Sequence, residues 1–207
     1  MIPFPLQAGG LGLSGRDFSA LSPTFTGANI DLTNGNRTAT RNSTASPAWR
    51  TSLSDRTNST GKRYFEFLIN ASSAGTPFII IGIAKTSIPL TNFIGFDANG
   101  YGYYRETGTK VNNNAVTAYG AAYAQGDRIG VAVDFNTGSV WFAKNNTWQA
   151  SGDPVAGTNA SFTGLTGEFK AGASVNTGTG TPDQVTVSLI GSHFNYAPPS
   201  GFVAWND

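Results

Sequence analysis

The sequence has no cysteine and only one histidine, His193, among its 207 residues. Without cysteine there can be no disulfide and no thiolate metal ligand, and one histidine cannot build a His-based metal cluster. A Ser-His catalytic pair would have to use His193, which has no acidic residue nearby in the sequence to orient it. We therefore predict no metal site and no cofactor.

Charged residues are also scarce. Asp, Glu, Lys and Arg make up 12% of the chain, and 13 basic residues face 12 acidic ones. A chain without a basic excess cannot neutralise many phosphates and is not drawn to an anionic membrane surface. The apolar run at 78–84 is far shorter than the roughly 20 residues of a membrane-spanning helix. We predict no nucleic-acid partner and no membrane insertion.

Alternating apolar residues are plentiful instead, most clearly from Gly126 to Trp148. An apolar residue at every second position is typical of a strand with one buried face. Two such runs are separated by a turn at 136–138, namely Ile129, Val131, Val133 and Phe135, and then Val140 and Phe142. We predict two central antiparallel strands, with Trp141 packing on the opposite face of its sheet.

The remaining pattern is also that of strands and turns. An Asn34-Gly35 turn predicts a hairpin over residues 28–40, and residues 47–53 predict a further strand. No helix longer than a turn or two is indicated. A second inward face is predicted where two runs meet, formed by Phe65, Phe67 and Ile69 opposite Ile79, Ile81 and Ile83.

The central stretch also carries a motif. Gly-Asp-x-Ile-Gly-Val-x-x-Asp-Phe at 126–135, followed by Val-Trp-Phe-x-Lys-Asn at 140–145, resembles the central hairpin of SPRY domains. Asn146 stands where the family usually has glycine, and asparagine also adopts left-handed backbone angles. The resemblance implies an all-β fold, a two-sheet antiparallel β-sandwich of the SPRY or concanavalin-like type. Matching stretches flank the hairpin in the same order: 61–67, then 81–84 with 94–97 and 100–103, and 194–202.

An extended N-terminal arm is predicted over residues 1–23, ahead of a sandwich over 24–207. The arm is too apolar for an ordinary disordered tail and too interrupted by Gly and Pro for a helix. We expect it to pack on another subunit, or to fold back on its own domain. Its apolar residues are Ile2, Phe4, Leu6, Leu11, Leu13 and Phe18.

The acidic residues form no catalytic pair in the sequence. A retaining glycosidase needs two carboxyl groups about 5 Å apart. Glu66 and Glu106 have no second acid two residues away, and Asp127 and Asp134 would face opposite sides of one regular strand. The SPRY resemblance implies that these two aspartates are structural. We predict that the protein is not an enzyme.

Surface recognition is the remaining class of function. SPRY domains present loops at one end of a rigid sandwich, so the resemblance places specificity in loops. Aromatic rings beside amides suit a sugar or a protein hot spot, although each tyrosine could instead be partly buried in the sandwich. The ligand-binding candidates are Tyr104, Arg105, Asn112, Asn113, Asn114, Tyr119, Tyr123 and Trp148.

A short-loop, cysteine-free chain without PRY, RING or B-box segments resembles the SPRY domains of bacteriophage structural proteins. We therefore hypothesise a non-enzymatic protein on the virion surface, either on the tail or fibre for receptor binding or on the capsid as decoration. It would be a homo-oligomer or present in many copies. Its partners would be other virion subunits, through the arm, and a host-surface glycan or protein. The alternatives are a cellular SPRY protein-interaction module that binds a peptide motif, and a glycan-processing enzyme.

Overall fold

The computed structural model describes residues 20–42, 48–72, 78–176 and 181–207. No helix in these four ranges is long and apolar enough to cross a membrane. In chain order the strands are β1 (Leu21–Thr26), β2 (Ile30–Thr33), β3 (Thr38–Arg41), β4 (Arg50–Ser54), β5 (Lys62–Ala71), β6 (Ile79–Ala84), β7 (Gly100–Tyr104), β8 (Thr109–Asn112), β9 (Ala115–Ala118), β10 (Arg128–Asp134), β11 (Ser139–Lys144), β12 (Thr147–Trp148), β13 (Lys170–Val175), β14 (Gln184–Ser188) and β15 (Val203–Ala204). Two short 3₁₀ turns lie at Gln149–Ser151 and Gly191–His193.

The strands form two sheets. The first sheet has the order β1-β4-β13-β6-β7-β8-β9, and the second has the order β12-β11-β10-β5-β14-β3-β2. Neighbouring strands are antiparallel, with one exception. β15 runs parallel to β5 and pairs with Arg63 and Tyr64 at its start, whereas β14 pairs with β5 from Glu66 onward. The predicted all-β, two-sheet antiparallel sandwich is confirmed.

The central hairpin has the predicted register. β10 pairs with β11 so that Val131 lies opposite Phe142 and Val133 opposite Val140, and all four side chains are fully buried. The next turn uses Asn145 and Asn146, whose φ angles are 47° and 65°. Asparagine tolerates this left-handed geometry, which explains why the turn forms without the usual glycine.

The space between the sheets holds the main core. Phe65, Phe67 and Ile69 of β5 face Ile79, Ile81 and Ile83 of β6 across this layer, as predicted. Because apolar residues of both inner faces interdigitate, the layer is the usual interior of a β-sandwich.

Each sheet is also apolar on its outer face, which the sequence pattern did not indicate for most strands. On the first sheet, Leu53, Ile80 and Val111 pack under residues 85–99 through Ile88 and Ile94. On the second sheet, Trp141 packs as predicted on the outer face; it is fully buried beside Tyr64, Ala132 and Phe202, and its Nε1 donates to the carbonyl of Thr158 at 2.8 Å.

The boundary of the predicted arm is corrected at its C-terminal end. β1 begins at Leu21, which is fully buried in the main core, so residues 21–23 belong to the sandwich. The arm residues Ile2, Phe4, Leu6, Leu11, Leu13 and Phe18 lie outside the described residues.

Candidate functional site

Two of the eight candidates lie in the interior. Tyr123 is 3% exposed, and its hydroxyl lies 3.1 Å from the carbonyl of Ile79 and 2.9 Å from that of Tyr103. Burial raises the pKa of Tyr123 well above its usual value. Tyr123 therefore joins β6 to β7 from inside the core and cannot contact a ligand at the surface, which corrects that prediction.

Arg105 is also buried, with 8% of its surface exposed. Desolvation lowers the pKa of its guanidinium, and the charge of Asp183 opposes that effect. Its backbone N–H donates to the carbonyl of Ile79, and its carbonyl accepts from the N–H of Tyr123. Arg105 closes the end of the core at the point where β7 ends, so it is not an exposed ligand contact.

The three asparagines form a turn at the other end of β7. Asn113 and Asn114 have φ angles of 51° and 58°, the geometry of a two-residue type I′ hairpin turn between β8 and β9. The side-chain amide of Asn112 donates to the carbonyl of Gly100 at 2.7 Å. These residues shape a hairpin, and they do not converge with Tyr104.

Tyr119 and Trp148 lie in two further places. The ring of Tyr119 packs edge-on against Tyr103 and Phe142 in the main core, with ring centroids 5.5 and 6.1 Å away. Trp148 is half-buried on the outer face of the second sheet, where its ring centroid is 6.5 Å from that of Tyr64. The eight candidates therefore do not form a single site.

Tyr104 alone among them lines an open apolar cavity. This cavity has a volume of about 210 Å³ and lies on the outer face of the first sheet; we call it the groove. It is lined by Trp49, Phe78, Ile80, Phe93, Tyr104, Val111 and Val116.

Strand alternation explains how these side chains reach the same face. Ile79 and Ile81 of β6 point into the main core, so Phe78 and Ile80 point outward. A run of apolar residues with no alternation, such as 78–84, indicates a strand covered on both faces. That run was the signal in the sequence that could have located the groove.

Aromatic contacts hold the walls of the groove. The ring centroid of Trp49 lies 5.3 Å from that of Phe93, 5.6 Å from that of Phe78 and 6.1 Å from that of Tyr104. Phe78 and Tyr104 are stacked at 6.4 Å with their planes only 6° apart. Such contacts add to the hydrophobic gain of burial and make the walls rigid.

Among the described side chains that line the groove, two carry a polar group: Tyr104 with its hydroxyl and Trp49 with its indole N–H. This hydroxyl donates to Oε2 of Glu106 at 2.8 Å. Burial, and then the bond to Glu106, raise the pKa of Tyr104 above its usual value. A ligand in the groove would therefore meet mainly aromatic and aliphatic surface, with the Tyr104 hydroxyl held in a fixed position by Glu106.

The groove opens to solvent at Val116, which is 59% exposed. Phe96 is 41% exposed and packs edge-on against Phe93, so it extends the apolar surface beyond the groove. Exposed apolar residues that adjoin one another, unlike single ones, mark surfaces that bind other molecules.

The two glutamates considered for catalysis are on different sheets. Glu66 is fully buried on the second sheet and accepts hydrogen bonds from the backbone N–H groups of Asn195 and Tyr196, both at 2.9 Å. Glu106 follows β7 of the first sheet and bonds Tyr104. Among the described residues, no three His, Asp or Glu side chains are grouped so that they could hold a metal ion.

The two aspartates bind neighbouring side chains. Asp127 accepts a hydrogen bond from Asn145 at 2.6 Å and lies 3.2 Å from the Lys144 ammonium group. Asp134 lies 3.6 Å from the ammonium group of Lys62. These contacts agree with structural roles.

Comparison with protein families now adds to this geometry. The sequence model of the SPRY domain matches residues 62–188, more than half of the chain. The chain belongs to the SPRY family. The match includes β5 to β14 and therefore most of the groove.

Two relatives illustrate the SPRY match. The dual specificity protein kinase splA of Dictyostelium discoideum is 30% identical over 91 residues, which are 41% of this chain and 4% of the kinase. The crystal structure of the SPRY domain of human HERC1 has a TM-score of 0.65 at 15% identity and covers 82% of this chain and 97% of that domain. The first match spans too little of the kinase to transfer its activity, and the second supports the fold alone.

These comparisons sharpen the functional class. SPRY domains are protein-interaction modules in cellular proteins, and they are not typically catalytic. Neither relative described above is a phage protein. The virion location and the glycan ligand therefore stay predictions, and the family match favours the cellular interaction module.

Proposed function

We propose that this SPRY domain is a protein-interaction module that binds an apolar peptide segment of another protein in the groove. The observation that carries the proposal is the groove itself, an aromatic cavity of about 210 Å³ on a rigid sheet, open at Val116. Rigid aromatic anchors around a desolvated cavity are typical of the sites that contribute most to protein–protein affinity.

The charge pattern supports a peptide rather than a nucleic acid or a free anion. None of the described side chains that line the groove is charged, and the Tyr104 hydroxyl offers a directed polar contact. An apolar side chain that enters the cavity would be removed from water. The backbone of the partner beside that side chain could form a hydrogen bond with the Tyr104 hydroxyl at the edge of the groove. We expect a partner segment with one or two large aliphatic or aromatic residues.

Two exposed valines give a matched test. Val116 is 59% exposed at the groove, and Val155 is 55% exposed in the loop between β12 and β13. A photo-crosslinking residue would replace each valine in turn in the protein expressed in cells of the source organism. We expect a discrete partner adduct from position 116 and none from position 155.

Affinity for the captured partner would then be measured with two charge variants. Val116→Glu places a carboxylate at the mouth of the groove and should weaken binding at least about tenfold, because the charge loses hydration when the partner docks. Val155→Glu should leave affinity unchanged. Equal loss in both variants, or no loss in either, would exclude the groove as the binding site.

The identity of the partner also tests the predicted location. Capsid, tail or fibre subunits captured through position 116 would support the virion hypothesis, whereas a cellular protein would support the interaction module. Binding of a purified glycan that is lost in Tyr104→Ala but kept in Trp148→Ala would redirect the proposal to a sugar ligand, because these residues lie on opposite sheets.

A further inference from the structure

The last strand of the first sheet, β9, leaves an edge of that sheet open. All four of its residues are exposed, and within the described ranges no strand pairs with its outer side. Its sequence, Ala-Val-Thr-Ala, contains neither charge nor proline, and its pairing with β8 has a regular register without a bulge. Charge, proline and bulges are the features by which proteins stop exposed edges from pairing, and β9 has none of them.

The other edges described are protected. β1 contains Pro23 and pairs with β4 in an irregular register. β2 carries Asp31, and β12 has only two residues. Each of these features weakens pairing with an additional strand. β9 is therefore the edge in the described structure that is best able to accept one.

The register shows which backbone groups of β9 are available. Asn112 and Ala115 face each other across the two-residue turn, and this closing pair of a type I′ turn is hydrogen-bonded. Hydrogen-bonded pairs alternate along an antiparallel ladder. The N–H and C=O groups of Ala115 and Thr117 therefore point to β8, and those of Val116 and Ala118 point outward.

The groove lies directly beside these outward groups. Val116 faces Val111 across β8 and β9, and both side chains line the groove. Ala118 is two residues further along β9, so its side chain lies on the same outer face. Residues directly opposite each other in adjacent strands have their side chains on one face, about 5 Å apart. Residues of an added strand that pair with Val116 and Ala118 would therefore place their side chains at the mouth of the groove.

We propose that the partner segment binds as an extended antiparallel strand along β9, with a large apolar side chain in the mouth of the groove. This inference rests on the proposed function, because it specifies the conformation and sequence of the peptide that the groove binds. In this type of recognition, backbone hydrogen bonds to a sheet edge provide affinity, and pockets for alternate side chains provide specificity. Antiparallel pairing continues the arrangement of the strands already in the sheet.

The geometry specifies three consecutive residues of the partner. The first lies opposite Ala118 and the third opposite Val116, because an antiparallel strand runs against the direction of β9. Both are apolar, since the described lining of the groove carries no charge, and neither is proline, since each supplies an N–H to β9. The third is large because it lies at the cavity. The middle residue lies on the other face, beside the exposed Thr117, where no pocket selects it.

A second copy of this chain fits the same edge less well. Two β9 strands can pair through both outward-bonding residues of each copy only with Val116 opposite Ala118. The methyl group of alanine is too small to fill a cavity of about 210 Å³. The shared edge would also contain only four residues from each copy, whereas stable interfaces use about 20 to 30 residues a side. We therefore assign the edge to a peptide segment of another protein.

A synthetic peptide tests the strand pairing on the full chain. The probe is Lys-Thr-Leu-Thr-Phe-Thr-Lys, which has Leu and Phe at the two apolar positions and lysines at its ends for solubility. Titrated to millimolar concentration into isotope-labelled protein, it should shift the amide signals of Val116 and Ala118 far more than those of Asp31 and Val155. Equal shifts at all four residues, or none at β9, would overturn the proposal.

Two methylated forms of the probe separate strand pairing from hydrophobic contact alone. A methyl group on the backbone nitrogen of Phe removes an N–H that bonds β9, and it should weaken binding at least about tenfold. The backbone nitrogen of the Thr between Leu and Phe points away from β9, so a methyl group there should leave affinity unchanged. Equal effects of the two methyl groups would mean that the side chains bind without strand pairing, which contradicts the proposal.

Two variants of Ala118 repeat this test on the protein. Ala118→Pro removes an outward N–H, and an edge strand tolerates proline where the missing N–H faces solvent. It should weaken binding of the probe at least about tenfold, whereas Ala118→Ser keeps the N–H and should bind as the wild type does. Wild-type affinity in a folded Ala118→Pro variant would contradict pairing. If thermal melting shows that this variant is unfolded, the methylated probes decide the question on the unchanged protein.

The results also distinguish this inference from the proposed function. A segment of a partner captured through position 116 can be synthesised with the same two methylations. Binding that is insensitive to both would keep the groove as the binding site and overturn the added strand. Alternating sensitivity of the probe, without any adduct at position 116 in cells, would support strand addition at β9 and contradict the proposed function.

Discussion

Two Tyr-x-Glu sequences, one starting on the outer face of each sheet, have opposite surroundings. Tyr64 and Glu66 on the second sheet are 2% and 0% exposed, and the Tyr64 hydroxyl donates to Oε1 of Glu66 at 3.1 Å. Tyr104 and Glu106 on the first sheet form the same type of bond at 2.8 Å, but Glu106 is exposed. The same three-residue spacing therefore supports a sealed face in one case and an open groove in the other.

The difference comes from what covers each face. On the second sheet, Glu66 binds the backbone N–H groups of Asn195 and Tyr196 and so holds the C-terminal segment against Tyr64. Phe194 then packs edge-on over Tyr64 at 5.1 Å. On the first sheet, residues 85–99 cover only part of the face, and within the described ranges Glu106 binds no covering segment. A buried carboxylate with backbone donors fixes a cover, whereas an exposed one leaves the surface available.

The largest effect is expected for Glu66→Gln. The amide keeps the size of the side chain but replaces one acceptor oxygen with a donor that faces backbone N–H groups, and it leaves Arg128, 3.4 Å away, without its partner. We expect the free energy of unfolding to fall by about 3 kcal/mol. Urea denaturation monitored by tryptophan fluorescence measures this change.

Glu106→Gln is the matched control for that substitution. Its carboxylate is exposed and bonds one hydroxyl, so we expect a change of at most about 0.5 kcal/mol. Equal destabilisation by both substitutions would mean that the two faces do not differ in the way the structure indicates.

Tyr64→Phe should have an intermediate effect, with a pH dependence of its own. Burial, and then the charge of Glu66 and the hydrogen bond to it, raise the pKa of Tyr64 above its usual value of 10.0. Its contribution to stability is therefore fully present below about pH 10, where the unfolded chain keeps the proton, and is lost as the pH rises further.

Removing the hydroxyl tests both parts of this expectation. Tyr64→Phe should cost about 1 kcal/mol at neutral pH, because Glu66 loses a donor. Above pH 10 it should make the fall in stability shallower than in the wild type. Thermal melting at pH 8 and at pH 10.5 measures both effects, and an unchanged slope would mean that Tyr64 is not protected from ionisation in the folded state.

The sequence predicted the parts of the fold that depend on local pattern. Alternation located β5 and the central hairpin, the continuous apolar run at 78–84 located β6, and Asn34-Gly35 marked the turn between β2 and β3. The sequence did not predict which outer faces of the sheets would be covered by other segments. Residues 85–99 and 194–202 reach these faces through contacts with strands that are distant in the sequence. Trp141 was an exception, since its alternation with Val140 and Phe142 placed it on an outer face.

The candidate site was less predictable for the same reason. Tyr104 and Arg105 are neighbours in the chain, yet one lines the groove and the other closes the core. The Asn112–Asn114 turn looked like part of the same loop set, but it lies at the opposite end of β7. Which end of a sandwich a loop occupies depends on strand order, and spacing in the sequence does not reveal strand order.

An effect as small as that of Glu106→Gln is expected for Tyr104→Phe, which separates shape from hydrogen bonding at the groove. The ring keeps its stack on Phe78 and its contact with Trp49, while the exposed bond to Glu106 is lost. We expect at most about 0.5 kcal/mol of destabilisation, because the exposed carboxylate of Glu106 can bond water instead. Urea denaturation of Tyr104→Phe beside Tyr64→Phe makes the comparison directly. A loss at Tyr104 as large as that at Tyr64 would mean that the groove is as closed to solvent as the second sheet, and that its opening at Val116 is too narrow to admit a partner side chain.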